Sequence, residues 1–261
     1  MDKRLKAFQE LLDIMDELRA KCPWDKKQTF ESLRHLTIEE TYELADAIVL
    51  KDSNEIKNEL GDILLHIVFY AKIGSENNDF SITEVIEGIN KKLIQRHPHI
   101  FSNVIAKTDE DVKQNWEKIK LNEGGKSVLS GVPVSLPSIV KAYRIQDKAR
   151  GVGFDWENPQ QVWEKVTEEM NELKDEVESG ADIEKIEDEF GDLLFALINY
   201  SRFINVNPDT ALERTNKKFI YRFNYLEEHA KKAGKSLHDM TLKEMDVFWD
   251  EAKKNEKREK I

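Results

Sequence analysis

The chain has 261 residues, of which 39% are hydrophobic and 35% are charged, and 51 acidic against 40 basic side chains give a formal net charge of −11. This charge disfavours a general binder of nucleic acid or anionic membranes, because such a protein needs a basic surface. The one cysteine, Cys22, excludes an internal disulfide framework and a cysteine-rich zinc module. The apolar runs of the chain are far shorter than the roughly 20 residues of a bilayer span. Residues 1–22 are amphipathic, unlike a signal peptide. We therefore expect a soluble, cytoplasmic protein in two parts.

Apolar residues recur at helical spacing almost throughout, for example in residues 5–18 and 56–67, so we predict an all-α fold. The predicted helices span 37–51, 54–74, 82–97 and 109–121, and then 138–150, 159–179, 182–205, 208–232 and 241–257. Glycine and proline concentrate between these two groups. We therefore predict an N-terminal domain over 1–121, a linker over 122–137 and a C-terminal domain over 138–261.

Three blocks of the first half recur in the same order in the second half. Residues 39–44 match 168–173, 59–62 match 189–192, and 90–96 match 216–222, at offsets of 129, 130 and 126 residues. Duplication of one helical unit is the simplest explanation. The sequence therefore predicts two tandem helical repeats.

Each repeat carries two carboxylate pairs with a spacing of three residues, which places both members on one side of a helix. The pairs are Glu40/Glu43 and Glu59/Asp62 in the first repeat, and Glu169/Glu172 and Glu189/Asp192 in the second. Glu59 and Glu189 fall within the apolar stripes of their helices, and an inward carboxylate is costly unless it is paired or bound to metal. Four converging carboxylates therefore predict a cation. An all-oxygen ligand set favours Mg²⁺, with Mn²⁺ as its substitute.

The residues around these carboxylates bear on two other interpretations. Glutamates on helices commonly just solvate a surface, but Gly61 and Gly191 lie inside the same helices, where glycine costs about 1 kcal/mol against alanine. Close approach of a neighbouring helix or a ligand would offset that cost. A di-iron carboxylate bundle requires Glu-x-x-His pairs, and the sequence contains none.

A lysine and an arginine four residues apart follow the carboxylates in each repeat. These pairs are Lys92/Arg96 and Lys218/Arg222. Arginine binds phosphate oxygens in a bidentate manner and lysine acts as a point charge. Carboxylate-bound Mg²⁺ together with such cations is typical of phosphoryl chemistry. A surface ion pair explains either pair alone equally well, but their repetition favours a function.

These blocks resemble the all-α nucleoside triphosphate pyrophosphohydrolases, and in particular the tandem-domain MazG family. The resemblance lies in Glu-x-x-Glu followed after 15 or 16 residues by Glu-x-x-Asp, and it covers essentially the whole chain. Further matching segments are CPWDKKQTFESL (22–33), EETYELADAI (39–48), ELGDILLHIVFYA (59–71), QRHPHIF (95–101), KAYRIQDKARGVGFDW (141–156) and MDVFWDEAK (245–253).

The resemblance implies a Mg²⁺-dependent hydrolase that cuts NTP or dNTP to the monophosphate and pyrophosphate, with broad base tolerance. It also implies a homodimer whose helices complete four-helix bundles, and a role in clearing non-canonical or excess nucleotides. Its expected metal-binding and catalytic residues are Glu169, Glu172, Glu189 and Asp192, with Lys185, Lys218 and Arg222 on the triphosphate. Trp249 would cover the base or sugar, and Lys253 is a weaker phosphate candidate.

The two repeats differ beside their carboxylates. Lys185 precedes Glu189 by one turn, whereas Glu55 stands at the matching place in the first repeat. Because an acid beside a phosphate is unfavourable, we expect the second repeat to perform most of the turnover. The first repeat, with its own carboxylates and Lys92 and Arg96, would be weaker, regulatory or structural. The alternative is a helical scaffold that senses nucleotides or binds a partner without turnover, whose mark would be broken carboxylate sets; both sets are complete.

Overall fold

A computed structural model describes residues 2–102, 104, 108, 112, 115, 116, 119 and 127–259. Within these residues the chain forms ten α-helices and no β-strand, which confirms the all-α prediction. None of these helices combines the length and the apolarity that a membrane span requires. The chain divides into two compact units, Met1–Val104 and Ile105–Ile261. The helix predicted over 109–121 lies largely outside the described residues, as does the start of the predicted linker, 122–126, and the predicted domain boundaries stay predictions.

The helices of the first unit are α1 (Lys3–Lys21), α2 (Phe30–Leu50), α3 (Ser53–Glu76), α4 (Ile82–Arg96) and the short α5 (Pro98–Phe101). Those of the second unit are α6 (Ser138–Gly151), α7 (Pro159–Ser179), α8 (Ile183–Phe203), α9 (Pro208–Lys232) and α10 (Leu242–Glu259). Single 3₁₀ turns occur at Asp25–Lys27, Val128–Gly131 and Leu237–Asp239.

Helix α2 begins seven residues earlier than predicted, at Phe30 instead of 37. Thr29 and Ser32 form a capping box in which each side-chain oxygen accepts a hydrogen bond from the backbone N–H of the other. This box satisfies two N–H groups that would otherwise lack partners at the start of the helix. The prediction missed the box because serine, and not the usual glutamate or glutamine, occupies its third helical position.

Two helical hairpins give the carboxylates their positions. Lys51, in a left-handed conformation with φ 58°, and Asp52 connect α2 to α3, and Gly180, with φ 72°, ends α7 shortly before α8 begins. Connections this short make the joined helices antiparallel neighbours. Each hairpin therefore brings the Glu-x-x-Glu helix against the Glu-x-x-Asp helix.

Apolar packing holds each hairpin in place. In the first unit, α1 packs on the hairpin through a core of Met15, Leu33, Val68, Phe69 and Ile73. Full burial of one such side chain contributes about 1.5–3 kcal/mol. In the second unit α8 packs against α7 and α6, and α9 packs mainly against α10. The buried residues of α7 and α8 include Val162, Val166, Ala196 and Ile198.

The outer faces of both hairpins remain apolar and exposed. The second helix of each hairpin presents an equivalent stripe, 39–53% exposed, made of Leu60, Leu64 and Ile67 in α3 and of Phe190, Leu194 and Leu197 in α8. A Cβ placed on Gly61 or Gly191 meets no atom within 4 Å. The close approach expected at these glycines is therefore absent within the described chain, because the glycines lie beside the open stripes.

Candidate metal and nucleotide site

The first unit gathers three carboxylates across its hairpin. Glu40 and Glu43 of α2 and Glu59 of α3 each offer one oxygen, and these atoms lie within 4.8 Å of one another. Glu59 is only 9% exposed, and its Oε2 is buried without a hydrogen-bond partner. A buried carboxylate oxygen without a partner is costly, so this group is suited to bind a cation.

Burial and neighbouring charges raise the pKa values of two carboxylates in the first cluster. Burial is the main cause that raises the pKa of Glu59, and the neighbouring charges of Glu43, Asp62 and Glu40 raise it further. Burial likewise raises the pKa of Glu40, with Asp62 and Glu43 adding to the effect. Like charges in a partly desolvated site favour protonation or a bound cation.

The second unit repeats this arrangement. Glu169 and Glu172 of α7 and Glu189 of α8 place one oxygen each within 4.8 Å of the others. Glu169 is buried, and burial followed by the charge of Glu169 raises the pKa of Glu172. Lys165 counteracts this rise, because its Nζ lies 2.6 Å from Oε1 of Glu169 and 2.8 Å from Oε1 of Glu168.

Asp62 and Asp192 lie outside these two groups of three. Both side chains are exposed, and neither belongs to the carboxylate sets within 4.8 Å. Asp62 is nevertheless close enough for its charge to raise the pKa values of Glu40 and Glu59. The structure thus brings together three of the four expected ligands in each repeat, and the role of the aspartates stays a prediction.

The expected phosphate-binding residues of the second repeat fall into two groups. Lys185 is exposed in the first turn of α8, one turn before Glu189. Arg222 of α9 lies with its guanidinium 5.7 Å from the ring of Trp249, which also packs edge-on against Phe219 at 5.1 Å. Lys218 shares helix α9 with Arg222. Because α9 packs mainly against α10, the described contacts do not place this second group beside the three carboxylates.

The remaining basic candidates lie on α10 and α4. Lys253 is exposed and pairs with Asp250 at 3.0 Å. Lys92 is exposed on α4, and Arg96 is the last residue of that helix. Their phosphate-binding roles stay predictions.

Comparison with known proteins identifies the family. The MazG nucleotide pyrophosphohydrolase domain matches residues 28–101 and again 157–226, which contain the two hairpins and their carboxylates. The chain belongs to the MazG family. The two repeats predicted from the sequence are thus two tandem MazG domains.

Three relatives match nearly the whole chain. The nucleoside triphosphate pyrophosphohydrolase/pyrophosphatase MazG of Thermotoga maritima is 44% identical over 94% of this chain and 95% of its own length. The nucleoside triphosphate pyrophosphohydrolase of Escherichia coli K12 is 37% identical over 97% of this chain and 99% of its own. The uncharacterized protein YabN of Bacillus subtilis is 46% identical over 96% of this chain, which spans 52% of YabN.

Sequence analysis missed two features of the second MazG repeat. The first is Lys165, whose spacing of four residues from Glu169 is itself a recognisable signal for a helical ion pair. The second is a cavity of about 510 Å³ between α6, α8 and the loop that contains Trp156. Residues from separate segments line the cavity, so no local pattern indicates it.

The cavity has an apolar wall with several buried polar atoms that lack partners. Gln146 donates from Nε2 to the backbone oxygen of Phe195 at 2.8 Å, which leaves its Oε1 unpaired. Oδ1 of Asn199 and Nε of Arg202 are also buried and unpaired among the described residues. Nη2 of Arg202 donates to both carboxylate oxygens of Asp155 at 2.7 Å. Gln146, Asn199 and Arg202 thus line a space large enough for a small planar molecule.

The first MazG repeat has a polar network where the second is apolar. Thr37 contacts Nδ1 of the buried His66 and the hydroxyl of Tyr70, both at 2.7 Å. Val166 and Ala196 occupy the places of Thr37 and His66 in the second repeat. Burial lowers the pKa of His66, although the charge of Asp62 opposes this effect. The two repeats thus share their carboxylates and differ in the layer beneath them.

Proposed function

We propose that this chain is a nucleoside triphosphate pyrophosphohydrolase that converts NTP and dNTP to the monophosphate and pyrophosphate. The observation that carries the proposal is the convergence of Glu169, Glu172 and Glu189 within 4.8 Å on two packed helices of a MazG domain. The names of the relatives from T. maritima and E. coli support the same activity. Clearing non-canonical or excess nucleotides is the proposed role in the cell.

The carboxylate clusters fit a hard divalent cation. Their donors are all oxygen, which matches Mg²⁺, with Mn²⁺ as its substitute. Oε2 of Glu59 is buried without a hydrogen-bond partner, and the pKa values of Glu40 and Glu59 are raised. Both features favour the binding of a cation at this cluster. The residues that would hold the metal are Glu40, Glu43, Glu59 and Asp62 in the first repeat, and Glu169, Glu172, Glu189 and Asp192 in the second.

The proposed reaction requires no side-chain nucleophile. These carboxylates would hold Mg²⁺, which would neutralise charge on the triphosphate and lower the pKa of water. Water adds to one phosphorus of the α–β anhydride, and the bridging oxygen leaves with the other phosphorus. Glu172 is the proposed acceptor of the proton of this water, and its exposure and raised pKa support this role. Lys185, Lys218 and Arg222 would neutralise the charge that develops on the pyrophosphate.

The second repeat is the proposed centre of turnover. Lys185 adds a positive charge one turn before Glu189, whereas Glu55 at the equivalent place raises the pKa of Glu59 by its negative charge. A triphosphate is therefore attracted to the second carboxylate cluster more than to the first. The intact first cluster retains a metal-binding or regulatory role in this proposal.

A second copy of this chain is the proposed cover of the exposed apolar stripes. Leu60 and Leu64 in α3 correspond to Phe190 and Leu194 in α8, and all four are exposed. Two hairpins that join through these stripes would form a four-helix bundle and bury the apolar surface. The open space beside Gly61 and Gly191 leaves room for such a neighbour. The homodimer is thus part of the proposal.

The cavity beside α8 is the proposed pocket for the nucleobase. Asn199 lies seven residues after Asp192, which places it on the same face of α8 and about 10 Å further along the axis. This separation suits a base whose phosphates lie near Asp192, the fourth expected metal ligand of this repeat. Because its amide can present either oxygen or nitrogen, Asn199 accommodates different base edges, which agrees with broad base tolerance.

Product analysis tests the proposed function. Eight NTPs and dNTPs are incubated with Mg²⁺ and the wild type, Glu43→Gln, Glu172→Gln or the control Glu178→Gln, which alters an exposed residue of α7 outside the cluster. We expect monophosphate and pyrophosphate from the wild type and control, and their loss in Glu172→Gln. Loss in Glu43→Gln alone would move the activity to the first repeat. No turnover of any nucleotide would support the binding-scaffold alternative.

A further inference from the structure

Lys165 forms ion pairs with the second carboxylate cluster that have no equivalent among the described residues of the first. Its ammonium contacts Oε1 of Glu169 at 2.6 Å and Oε1 of Glu168 at 2.8 Å, and Glu169 belongs to the three carboxylates within 4.8 Å of one another. The Glu169 side chain is 8% exposed and that of Glu168 is 56% exposed. Lys165 therefore bridges the interior of the cluster and its solvent-exposed edge.

The first repeat places an apolar residue where the second has Lys165. The offset of 129 residues that aligns Glu40 with Glu169 also aligns Leu36 with Lys165, and Leu36 packs against the hydrophobic core of the first unit. Among the described residues, no lysine or arginine forms an ion pair with Glu40, Glu43 or Glu59. The buried Oε2 of Glu59 has no partner, whereas no carboxylate oxygen of the second cluster is both buried and unpaired.

We propose that Lys165 is an internal counter-cation that competes with the divalent metal for Glu169, so that the two MazG repeats bind metal with different affinities. The inference rests on the proposed metal-binding role of the two clusters. A metal ion that binds Glu169 shares this carboxylate with the ammonium and is repelled by its charge, so the two cations compete for Glu169. In the first repeat Leu36 offers no such competition. The first cluster is therefore the tighter metal site and the second the weaker one.

Glu168 gives the displaced ammonium an alternative partner. Lys165 already contacts this exposed carboxylate, and its flexible stem allows the ammonium to leave Glu169 without losing all pairing. Lys165 thus acts as a positioning residue that sets the metal concentration at which the second cluster fills.

Direct measurement of Mn²⁺ binding tests this inference without reference to turnover. The intact chain is titrated with Mn²⁺ and free ion is followed by electron paramagnetic resonance, and Glu43→Gln and Glu172→Gln assign the two classes of site. We expect a tighter site that is lost in Glu43→Gln and a weaker site that is lost in Glu172→Gln. Lys165→Leu, which copies Leu36, should raise the affinity of the weaker site about three- to tenfold and leave the tighter site unchanged.

Two further variants separate competition from a structural effect. Glu168→Gln removes the alternative partner, so it should lower the affinity of the weaker site, the opposite sign from Lys165→Leu. Lys174→Leu is the matched control, because Lys174 pairs with Glu178 on the same helix at 3.6 Å outside the cluster. An unchanged or lower affinity in Lys165→Leu overturns the role of Lys165 while the metal sites stand. No Mn²⁺ binding by the wild type overturns the metal sites and the inference together.

Discussion

Glu40 and Glu59 lie on neighbouring helices with carboxylate oxygens within 4.8 Å of each other, and Oε2 of Glu59 is buried without a partner. Burial and like charges raise the pKa of both side chains. The folded chain therefore holds protons on these groups more tightly than the unfolded chain does. The pH dependence of thermal stability therefore tests whether these carboxylates are buried together as the structure shows.

The stabilising contribution of this cluster in the metal-free protein should decrease as the pH rises. For a carboxyl group with a raised folded-state pKa, the stabilisation is fully present below the unfolded value of 4.5 and is lost as the pH rises through the folded-state pKa. Thermal unfolding in EDTA should therefore show that the cluster's contribution to Tm, measured as the difference between the wild type and Glu59→Gln, falls as the pH rises above 4.5, and Mg²⁺ should raise Tm more at pH 7.5 than at pH 4.5. Glu59→Gln should also weaken the effect of Mg²⁺. An identical pH profile in this variant would remove Glu59 as their source.

Glu172→Gln should lower kcat by at least about a hundredfold, because it removes the proposed general base and a metal ligand. Pyrophosphate release under saturating NTP and Mg²⁺ measures this effect, and circular dichroism shows whether the helices persist. Glu178→Gln on the same helix should keep wild-type turnover. Full activity of Glu172→Gln with intact helicity would rule out the assigned site.

Lys185→Glu should raise KM for the triphosphate about tenfold, because it places in the second repeat the acid that the first repeat carries at Glu55. The reason is the loss of one charge-assisted phosphate contact and the gain of repulsion. Steady-state kinetics at low and high salt provide the measurement, since screening should reduce the difference. A KM that equals the wild-type value at low salt would take Lys185 out of the site.

Leu194→Lys should weaken self-association at least about thirtyfold, because it places a charge in the apolar stripe of α8. Light scattering coupled to gel filtration, over a range of protein concentrations, measures the stoichiometry. Leu242→Lys is the control, since Leu242 is exposed at the start of α10 outside the stripe. A wild type that stays monomeric at high concentration would contradict the proposed homodimer.

Asn199→Leu should raise KM by about three- to tenfold while kcat changes little, because it removes an unpaired polar atom from the proposed base pocket. Comparing all eight nucleotides shows whether the loss depends on the base edge. Tripolyphosphate inhibition serves as the control, since its binding should not change. Equal KM values for the variant and the wild type with every nucleotide would place the base elsewhere.

Much of this fold was predictable because its determinants are local. Helical periodicity depends on neighbours three or four residues away, so the helices and the repeated Glu-x-x-Glu and Glu-x-x-Asp pairs stand out without tertiary information. The start of α2 was predicted wrongly, since Ser32 completes an unusual capping box. Lys165 was overlooked although its spacing from Glu169 is a local signal. The helix pattern and the two carboxylate-rich repeats were thus determined by the sequence alone.

Only the tertiary structure decided how these residues combine. Packing across each hairpin brings three carboxylates within 4.8 Å and leaves Asp62 and Asp192 outside the sets. The packing of α9 against α10 brings the guanidinium of Arg222 over the ring of Trp249. The cavity is lined by segments that are far apart in the sequence. The physical reason is that burial and unpaired polar atoms depend on which helix faces meet, and periodicity does not specify this.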